Sequence, residues 1–306
     1  MNARSRYILL ALLIGAAAIL VCHASSSSGQ TPPPAADVRF YFVQITDTHL
    51  GADRNWERTV AAVEAVNALP KPIEFVAHTG DIFDRFVHNA SLVEAGMGLF
   101  KRLHAPVHFV PGNHDIPRGG EDLTAEVKFF RQRVGPLSHT LECHGVLMIF
   151  FYVEPLAGNF QVAGYDPLAW LESTLKAAQG RPAIIFIHSP PVRDFFGGRS
   201  HAGWPHEYVM RWNDLLSRYN VKAVIAGHFH RNETHHIAGV PLFISAAIAD
   251  TIGLPGSFRL YKYDNGRVTY TTHYLNGPRR PAAPAPASAS APAVIRASAS
   301  GTATQP

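Results

Sequence analysis

The chain has 306 residues, 47% of them hydrophobic and 16% charged, which is enough apolar material for one large core or at most two domains. Five of its 27 lysines and arginines lie near the two ends, so 22 remain in the body against all 23 acidic residues, and the formal net charge of +4 falls to about −1 there. A near-neutral body argues against a dedicated nucleic-acid surface, and two cysteines provide no disulfide framework.

Residues 1–24 have the pattern of a secretory signal peptide. Arg4 and Arg6 precede the uncharged, mostly aliphatic run Tyr7–Val21, and small residues follow. An uncleaved anchor is the alternative, although the run is shorter than the roughly 20 apolar residues of a full membrane span. Because the positive charges precede the run, the body is expected outside the cytoplasm, either exported (periplasmic or secreted) or tethered to a membrane through residues 7–21.

Two low-complexity segments flank the predicted folded body. Residues 25–37 are rich in serine and proline and are expected to form a polar linker. Residues 277–306 repeat alanine, proline and serine with almost no large apolar side chain, so they are expected to be disordered. The predicted domain is therefore residues 38–276.

Short apolar runs alternate with helical patterns through this domain. The strands become denser late in the chain, which predicts an α/β fold: a four-layer αββα sandwich with two mixed β-sheets flanked by helices. The predicted strands are Arg39–Thr46, Ile73–Thr79, Val107–Val110, Val146–Val153, Ala183–His188, Ala223–Ala226, Leu242–Ser245, Phe258–Tyr263 and Val268–His273. The predicted helices are Trp56–Leu69, Ser91–Leu103, Thr124–Val134, Pro167–Ala178 and His206–Arg218.

Polar residues of the metal-binding type stand at the ends of five predicted strands. Open α/β sheets place ligand chemistry at the carboxyl ends of their strands, where loops converge. Apolar runs there end in polar residues that would be costly to bury unpaired, as at Asp47 and His188. We therefore predict a metal centre. The five segments are Asp47-Thr48-His49, Gly80-Asp81, Gly112-Asn113-His114-Asp115, His188 and Gly227-His228-Phe229-His230.

These residue types suit two metal ions acting on a phosphate ester. Hydrolysis at neutral pH needs a nucleophile and neutralised phosphoryl oxygens, which two metals about 3.5–4 Å apart provide. Mixed carboxylates and imidazoles favour Mn, Fe or Zn over Ca or Mg. His228 and His230 are two residues apart, so they would point the same way and serve different metals. Gly112 and Gly227 would allow sharp turns of the backbone.

The ordered motifs D-x-H, GD-x-x-D, GNHD, a lone His and GH-x-H, from Asp47 to His230, resemble the calcineurin-like metallophosphoesterase superfamily. The set is similar to that of small, uncapped members such as cyclic-nucleotide phosphodiesterases and phosphatases. The resemblance implies two divalent or trivalent metal ions (Mn, Fe or Zn), a metal-bridging hydroxide as nucleophile, and a small phosphorylated substrate.

The resemblance also implies a role for each matching residue. His114 would contact the phosphate and act as general acid toward the leaving alkoxide, and Asp115 would orient His114. Asp81 would bridge the two metals. The other ligands would be Asp47, His49 and His230 for the first metal, and Asn113, His188 and His228 for the second.

Two further segments allow alternative interpretations. Asp84 and Arg85 extend the GD-x-x-D run. We interpret Asp84 as support for the site loop, and Arg85 either as a ligand of substrate phosphate or as a surface ion pair. The segment Phe195–His206 contains Gly197-Gly198 and is expected to be a mobile loop. It would either overhang the metals and select substrate or be an ordinary surface loop with an apolar anchor.

The leading prediction is an exported phosphoesterase. The alternatives are a cyclic-nucleotide phosphodiesterase specifically, a nuclease, and a non-catalytic metal-binding scaffold of the same fold. The near-neutral body, without interleaved aromatic and basic residues, disfavours a nuclease, and the complete ligand set disfavours a scaffold. No oligomeric state is predicted.

Overall fold

A computed structural model describes residues 37–51, 53–85, 88–116, 123–196, 199–249 and 254–275. The predicted signal peptide or anchor and the predicted disordered tail lie outside these residues, as does the predicted linker apart from its last residue. Within these ranges, no helix has the length and apolar character that a membrane crossing requires.

The described residues form strands and helices in the following order. The strands are β1 Arg39–Ile45, β2 Val76–His78, β3 Val107–Phe109, β4 His139–Cys143, β5 Val146–Phe150, β6 Ala183–Phe186, β7 Asp194–Phe196, β8 Arg199–His201, β9 Val221–Ala226, β10 Glu233–Ile237, β11 Val240–Ile244, β12 Ser257–Asp264 and β13 Arg267–Tyr274. The helices are α1 Asp53–Asn67, α2 Ala90–Phe100, α3 Leu123–Arg133, α4 Glu154–Gly158, α5 Pro167–Ala177 and α6 His206–Arg218.

Two mixed sheets and a short hairpin contain these strands. The first sheet has the order β13-β12-β1-β2-β3, in which β1, β2 and β3 are parallel and β12 is antiparallel to β1. The second sheet has the order β10-β11-β9-β6-β5-β4, with β11, β9, β6 and β5 parallel. The strands β7 and β8 pair only with each other among the described residues. Within each sheet, the loops after the parallel strands emerge at one edge.

Three apolar clusters show how the layers are stacked. Residues such as Val63 of α1 and Phe100 of α2 pack with Val43 on the outer face of the first sheet. A second cluster joins α5 and α6 to the outer face of the second sheet. A third cluster lies between the sheets, where the Phe42 and Phe75 rings stack at 5.0 Å. The predicted fold of two mixed sheets flanked by helices is confirmed.

The predicted strands differ from the observed ones mainly at their ends. β1 stops at Ile45 and β6 at Phe186, one and two residues before the predicted ends, because the chain turns there into the loops that carry Asp47 and His188. The sequence predicted neither β4 nor β10. β10 reads Glu-Thr-His-His-Ile and alternates between half-buried and exposed residues, so an edge strand of this kind has no continuous apolar run.

Candidate metal centre

The predicted ligands lie on loops that follow parallel strands of both sheets. Backbone hydrogen bonds tie these loops in pairs: Asp47 N–H donates to Gly80 O at 3.0 Å, and Gly227 N–H donates to His188 O at 3.2 Å. Asp47 and His188 are fully buried. The five segments predicted from the sequence therefore converge in one place.

The first group of ligand atoms comes from Asp47, His49, Asp81 and His230, and these atoms all lie within 4.8 Å of one another. His230 Nε2 is 3.1 Å from Asp47 Oδ1 and 3.2 Å from His49 Nε2. His49 Nε2 is 3.6 Å from Asp81 Oδ2. These are the residues that the sequence assigned to the first metal, together with the bridging aspartate.

The second group contains Asp81 again, with His188 and His228. His188 Nε2 lies 3.2 Å from Asp81 Oδ2 and 3.3 Å from His228 Nδ1. Asn113 Oδ1 joins this group at 3.1 Å from His188 Nε2. One carboxylate is thus shared by two neighbouring groups, which is the arrangement expected of a bridging ligand.

Further contacts orient these ligands from behind. His188 Nδ1 lies 2.8 Å from the carbonyl oxygen of Thr79 and donates to it, which leaves Nε2 directed at Asp81. The Thr46 hydroxyl donates to Asp47 Oδ2 at 2.7 Å, and His228 N–H donates to the same oxygen at 3.1 Å. Each of these two ligands therefore keeps one atom free for the centre.

The backbone is unusual at five of the seven predicted ligands. Their φ angles are 52° at Asp47, 42° at His49, 51° at Asp81, 73° at His228 and 57° at His230. Residues other than glycine adopt this left-handed region in only a few per cent of cases. Conformations of this kind concentrate at functional sites. His228 and His230 therefore reach different groups from a left-handed turn and not from an extended strand.

The charges in the centre favour a bound cation. Burial opposes ionisation of Asp47 and Asp81, yet the pKa of each lies below its usual range because His230 and His188, respectively, outweigh that effect. Burial also disfavours protonation of His188, but the charge of Asp81 raises the pKa of His188 to about 10. Burial and the neighbouring His188 charge hold the pKa of His228 well below its usual value, so His228 stays neutral.

These residues fit two metal ions. Asp47 Oδ1 is buried and accepts no well-aligned hydrogen bond from the described residues, although His230 Nε2 lies 3.1 Å away. Imidazole nitrogens face each other in two places, at 3.2 Å between His49 and His230 and at 3.3 Å between His188 and His228. Imidazole nitrogens and carboxylate oxygens that converge in this way are suitable ligands for transition metals.

Over residues 40–232 the chain matches the protein-family model for calcineurin-like phosphoesterases. The chain belongs to the calcineurin-like phosphoesterase family. The matched span contains all nine residues that the sequence assigned to the site. With the shared carboxylate at its centre, this phosphoesterase is a dimetal enzyme that hydrolyses phosphoric esters.

Curated relatives include both phosphatases and phosphodiesterases. The chain is 27% identical over 251 residues to the serine/threonine-protein phosphatase CPPED1 of Danio rerio. That alignment covers 70% of this chain and 77% of that protein. It is 26% identical to a probable glycerophosphodiester phosphodiesterase GpdQ of Arcobacter nitrofigilis, over 63% of this chain and 72% of that protein. The 3′,5′-cyclic adenosine monophosphate phosphodiesterase CpdA of Escherichia coli K12 is 24% identical, over 66% of this chain and 73% of that protein.

Solved structures show the same fold. A dimetal phosphatase from Danio rerio aligns with a TM-score of 0.52 at 14% identity, covering 77% of this chain and 99% of that one. The purple acid phosphatase PPD1 from yellow lupin aligns with a TM-score of 0.54 at 12% identity, covering 79% of this chain and 52% of that one.

One predicted contact of the phosphoesterase is wrong: Asp115 does not orient His114. Both carboxylate oxygens of Asp115 accept backbone N–H groups, from Ile82 at 3.2 Å, Phe83 at 2.9 Å and Gly112 at 2.9 Å. Burial, followed by the charge of Asp81, raises the pKa of Asp115 to about 7. Asp115 therefore holds two site loops together.

Asp84 takes the role that we predicted for Asp115. Its Oδ1 lies 2.8 Å from His114 Nδ1 and 3.8 Å from His49 Nδ1. The nearby His49 imidazole, offset by partial burial and reinforced by the hydrogen bond to His114, lowers the pKa of Asp84 to about 2. Arg85 is exposed and forms no ion pair with the described residues, so the predicted surface ion pair is not seen there. Its alternative role, as a ligand of substrate phosphate, stays a prediction.

Replacing Asp84 by asparagine should lower kcat by about 10- to 100-fold, because His114 loses the carboxylate that fixes its ring. Metal content, measured by mass spectrometry, should remain at two ions per chain. Asp214→Asn is the matched control, because Asp214 is an exposed carboxylate paired with Arg218. A variant that keeps full activity would show that Asp84 does not orient His114.

Gly112 and Gly227, in two of the site motifs, have to be glycine because neighbouring residues approach their Cα atoms too closely for a side chain. A Cβ on Gly112 would stand 2.2 Å from Asp81 Oδ1, and one on Gly227 would stand 2.1 Å from the Thr46 hydroxyl oxygen. Neither glycine has a positive φ, so the predicted sharp turns are not the reason for glycine here. The site loops pack too tightly against the ligands for any side chain.

Gly112→Ala should displace Asp81 and reduce the metal content of the purified protein to below one ion per chain. The steric reason is that real Cβ atoms do not approach other atoms at 2.2 Å. Gly98→Ala is the control, because Gly98 lies in α2 with no atom within 4 Å of its Cβ position. Full metal occupancy in the Gly112 variant would contradict the role given to this contact.

Proposed function

We propose that this phosphoesterase hydrolyses small phosphate esters outside the cytoplasm, using two ions of the Mn, Fe or Zn type. The observation that carries the proposal is that the carboxylate of Asp81 belongs to both ligand groups. Donor chemistry supports the choice of metal, since four imidazoles and two carboxylates suit borderline transition metals better than Ca or Mg.

The two metals would be held by Asp47, His49 and His230 on one side and Asn113, His188 and His228 on the other, with Asp81 between them. When bound, they supply an activated water and neutralise the charge of the phosphoryl group. His114 stands beside this centre, with its ring 4.6 Å from that of His49. Held by Asp84 through Nδ1, it would use Nε2 to protonate the oxygen of the leaving group.

The named activities of the relatives support small phosphorylated substrates of more than one ester class. They include a serine/threonine-protein phosphatase, a probable glycerophosphodiester phosphodiesterase and a cyclic adenosine monophosphate phosphodiesterase. Export is supported by the signal-like segment at residues 1–24. An exported enzyme is better placed to release phosphate from external esters than to control a cytoplasmic messenger.

A substrate panel tests this proposal. The purified chain, loaded in turn with Mn, Fe and Zn, is assayed with p-nitrophenyl phosphate, bis(p-nitrophenyl) phosphate and cyclic adenosine monophosphate. Turnover of the two chromogenic esters supports the proposal. Turnover of the cyclic nucleotide alone would favour the specific phosphodiesterase. Failure with every substrate, in a folded sample that carries two metals, would refute the proposed function.

Export is tested separately, by cell fractionation and sequencing of the mature N-terminus. A chain that begins near residue 25 in the extracytoplasmic fraction supports a cleaved signal. An intact N-terminus in the membrane fraction would favour the tether through residues 7–21. Recovery of an intact chain in the cytoplasmic fraction would refute export.

A further inference from the structure

The hairpin of β7 and β8 carries an aspartate and a histidine that lie beside the metal centre. Asp194 and His201 are direct partners across the ladder of this hairpin. Opposite residues place their side chains on the same face, so the two are neighbours. His201 Nδ1 lies 3.1 Å from Asp194 Oδ2, which fixes the ring through one of its two nitrogens.

Contacts with the GH-x-H segment hold this pair in place. Arg231, which follows the ligand His230, forms a two-pronged ion pair with Asp194, including a contact of 2.9 Å from Nη1 to Oδ2. The His201 ring stacks on Phe229 with centroids 5.2 Å apart. It also meets the ring of the ligand His228 at 4.6 Å and 64°. The hairpin is therefore fixed against the second group of ligands.

The His201–Asp194 pair beside the second ligand group resembles the His114–Asp84 pair beside the first. His114 pairs with Asp84 and lies 4.6 Å from the ring of His49, a ligand of the first group. His201 pairs with Asp194 and lies at the same distance from His228, a ligand of the second group. Each metal ligand set thus has one carboxylate-oriented histidine packed against it.

His201 remains available to a ligand. Its side chain is 31% exposed, and Nε2 has no hydrogen-bond partner among the described residues. Arg231 cannot take its place, because its charge is already shared between Asp194 and Glu233. His201 is therefore a polar group, next to the ligand His228, that could donate a hydrogen bond to a phosphoryl oxygen.

We propose that His201 hydrogen-bonds the phosphoryl group of the bound substrate on the side of the second ligand group, with Asp194 holding its ring. This inference rests on the proposed function and deepens it by naming a second contact to the substrate, opposite in role to His114. His201 would bind the group that is transferred, whereas His114 would serve the group that leaves.

The test measures inorganic phosphate binding to the metal-loaded full chain by calorimetry, alongside kcat/KM for p-nitrophenyl phosphate. In His201→Ala, phosphate affinity and kcat/KM should each fall by about 10- to 100-fold, the range expected when a hydrogen bond to a charged group is lost. Two metals should remain bound. His104→Ala is the matched control, because His104 is an exposed histidine outside both ligand groups and outside the Phe195–His206 segment.

Either of two results would overturn the inference. One is a phosphate affinity in His201→Ala within about two-fold of that of the wild type. The other is the loss of one metal from the variant, which would assign His201 to the metal site. Failure of the proposed function is distinguishable, because a wild-type chain without turnover could still bind phosphate through His201.

Discussion

Replacing His114 by alanine should lower kcat for an alkyl phosphate ester by about 10²- to 10⁴-fold, the usual contribution of a general acid. The His114 ring lies 4.6 Å from the ring of His49 and is held by Asp84. The side chain of His114 nevertheless belongs to neither of the two ligand groups that share Asp81. Only its backbone N–H contacts Asp81, at 2.8 Å, and alanine keeps that bond. Two metals should therefore remain bound.

The chemistry of the leaving group makes this test specific. p-Nitrophenolate leaves without protonation far more readily than an alkoxide, so the His114 variant should lose much less activity on p-nitrophenyl phosphate than on an alkyl ester. His104→Ala serves as control, because His104 is exposed and lies outside both ligand groups. An equal loss on both esters would contradict the assignment of His114 as the acid.

Replacing Asp81 by alanine should abolish binding of both metals and lower kcat/KM by at least about 10³-fold, equivalent to a few kcal/mol of transition-state stabilisation. Asp81 Oδ2 lies 3.6 Å from His49 Nε2 in the first ligand group and 3.2 Å from His188 Nε2 in the second. Asp81 is the one residue that the two groups share. The measurement is metal content by mass spectrometry, together with activity at saturating metal.

Asn113→Ala provides the comparison for Asp81. Asn113 contacts only the second group, at 3.1 Å from His188 Nε2, so its loss should release one metal and leave the other. Circular dichroism establishes that both variants are folded. If Asp81→Ala and Asn113→Ala retained equal metal content, the bridging role of Asp81 would be wrong.

The sequence predicted which polar residues would converge, because each predicted ligand follows a strand. Apolar runs that end in Asp47 or His188 mark the point where a parallel strand gives way to a loop, and parallel strands of a sheet deliver their loops to one edge. The fold class followed from the same alternation of runs and helical patterns. Local sequence was sufficient here because the end of each apolar run marks the end of a parallel strand, and the ends of parallel strands lie together in the sheet.

The partner of His114 could not be predicted in this way. Asp115 is adjacent to His114 in sequence, but adjacent residues in a turn point in different directions. The oxygens of Asp115 accept backbone N–H groups of a neighbouring loop, at Phe83, and of its own loop, at Gly112. Asp84 reaches His114 from 30 residues away. Such a contact depends on how two loops pack against each other, and the periodicity of the sequence does not predict that packing.

The hairpin carrying His201 was missed for a related reason. The sequence around Gly197-Gly198 has the composition of a loop, and contacts with residues about 30 positions away, at Phe229 and Arg231, fix the position of the hairpin. The glycines at 112 and 227 were recognised, but for the wrong reason, because a close approach between loops leaves no mark in the sequence.

The left-handed backbone at five predicted ligands has a consequence for the origin of metal affinity. Each such conformation costs on the order of 1–3 kcal/mol, and it persists only where surrounding structure enforces it. The two-sheet body thus holds the loops in the conformation that brings the predicted ligands together. Changes in the remote core that relax this constraint should therefore weaken metal affinity, even where no ligand is touched.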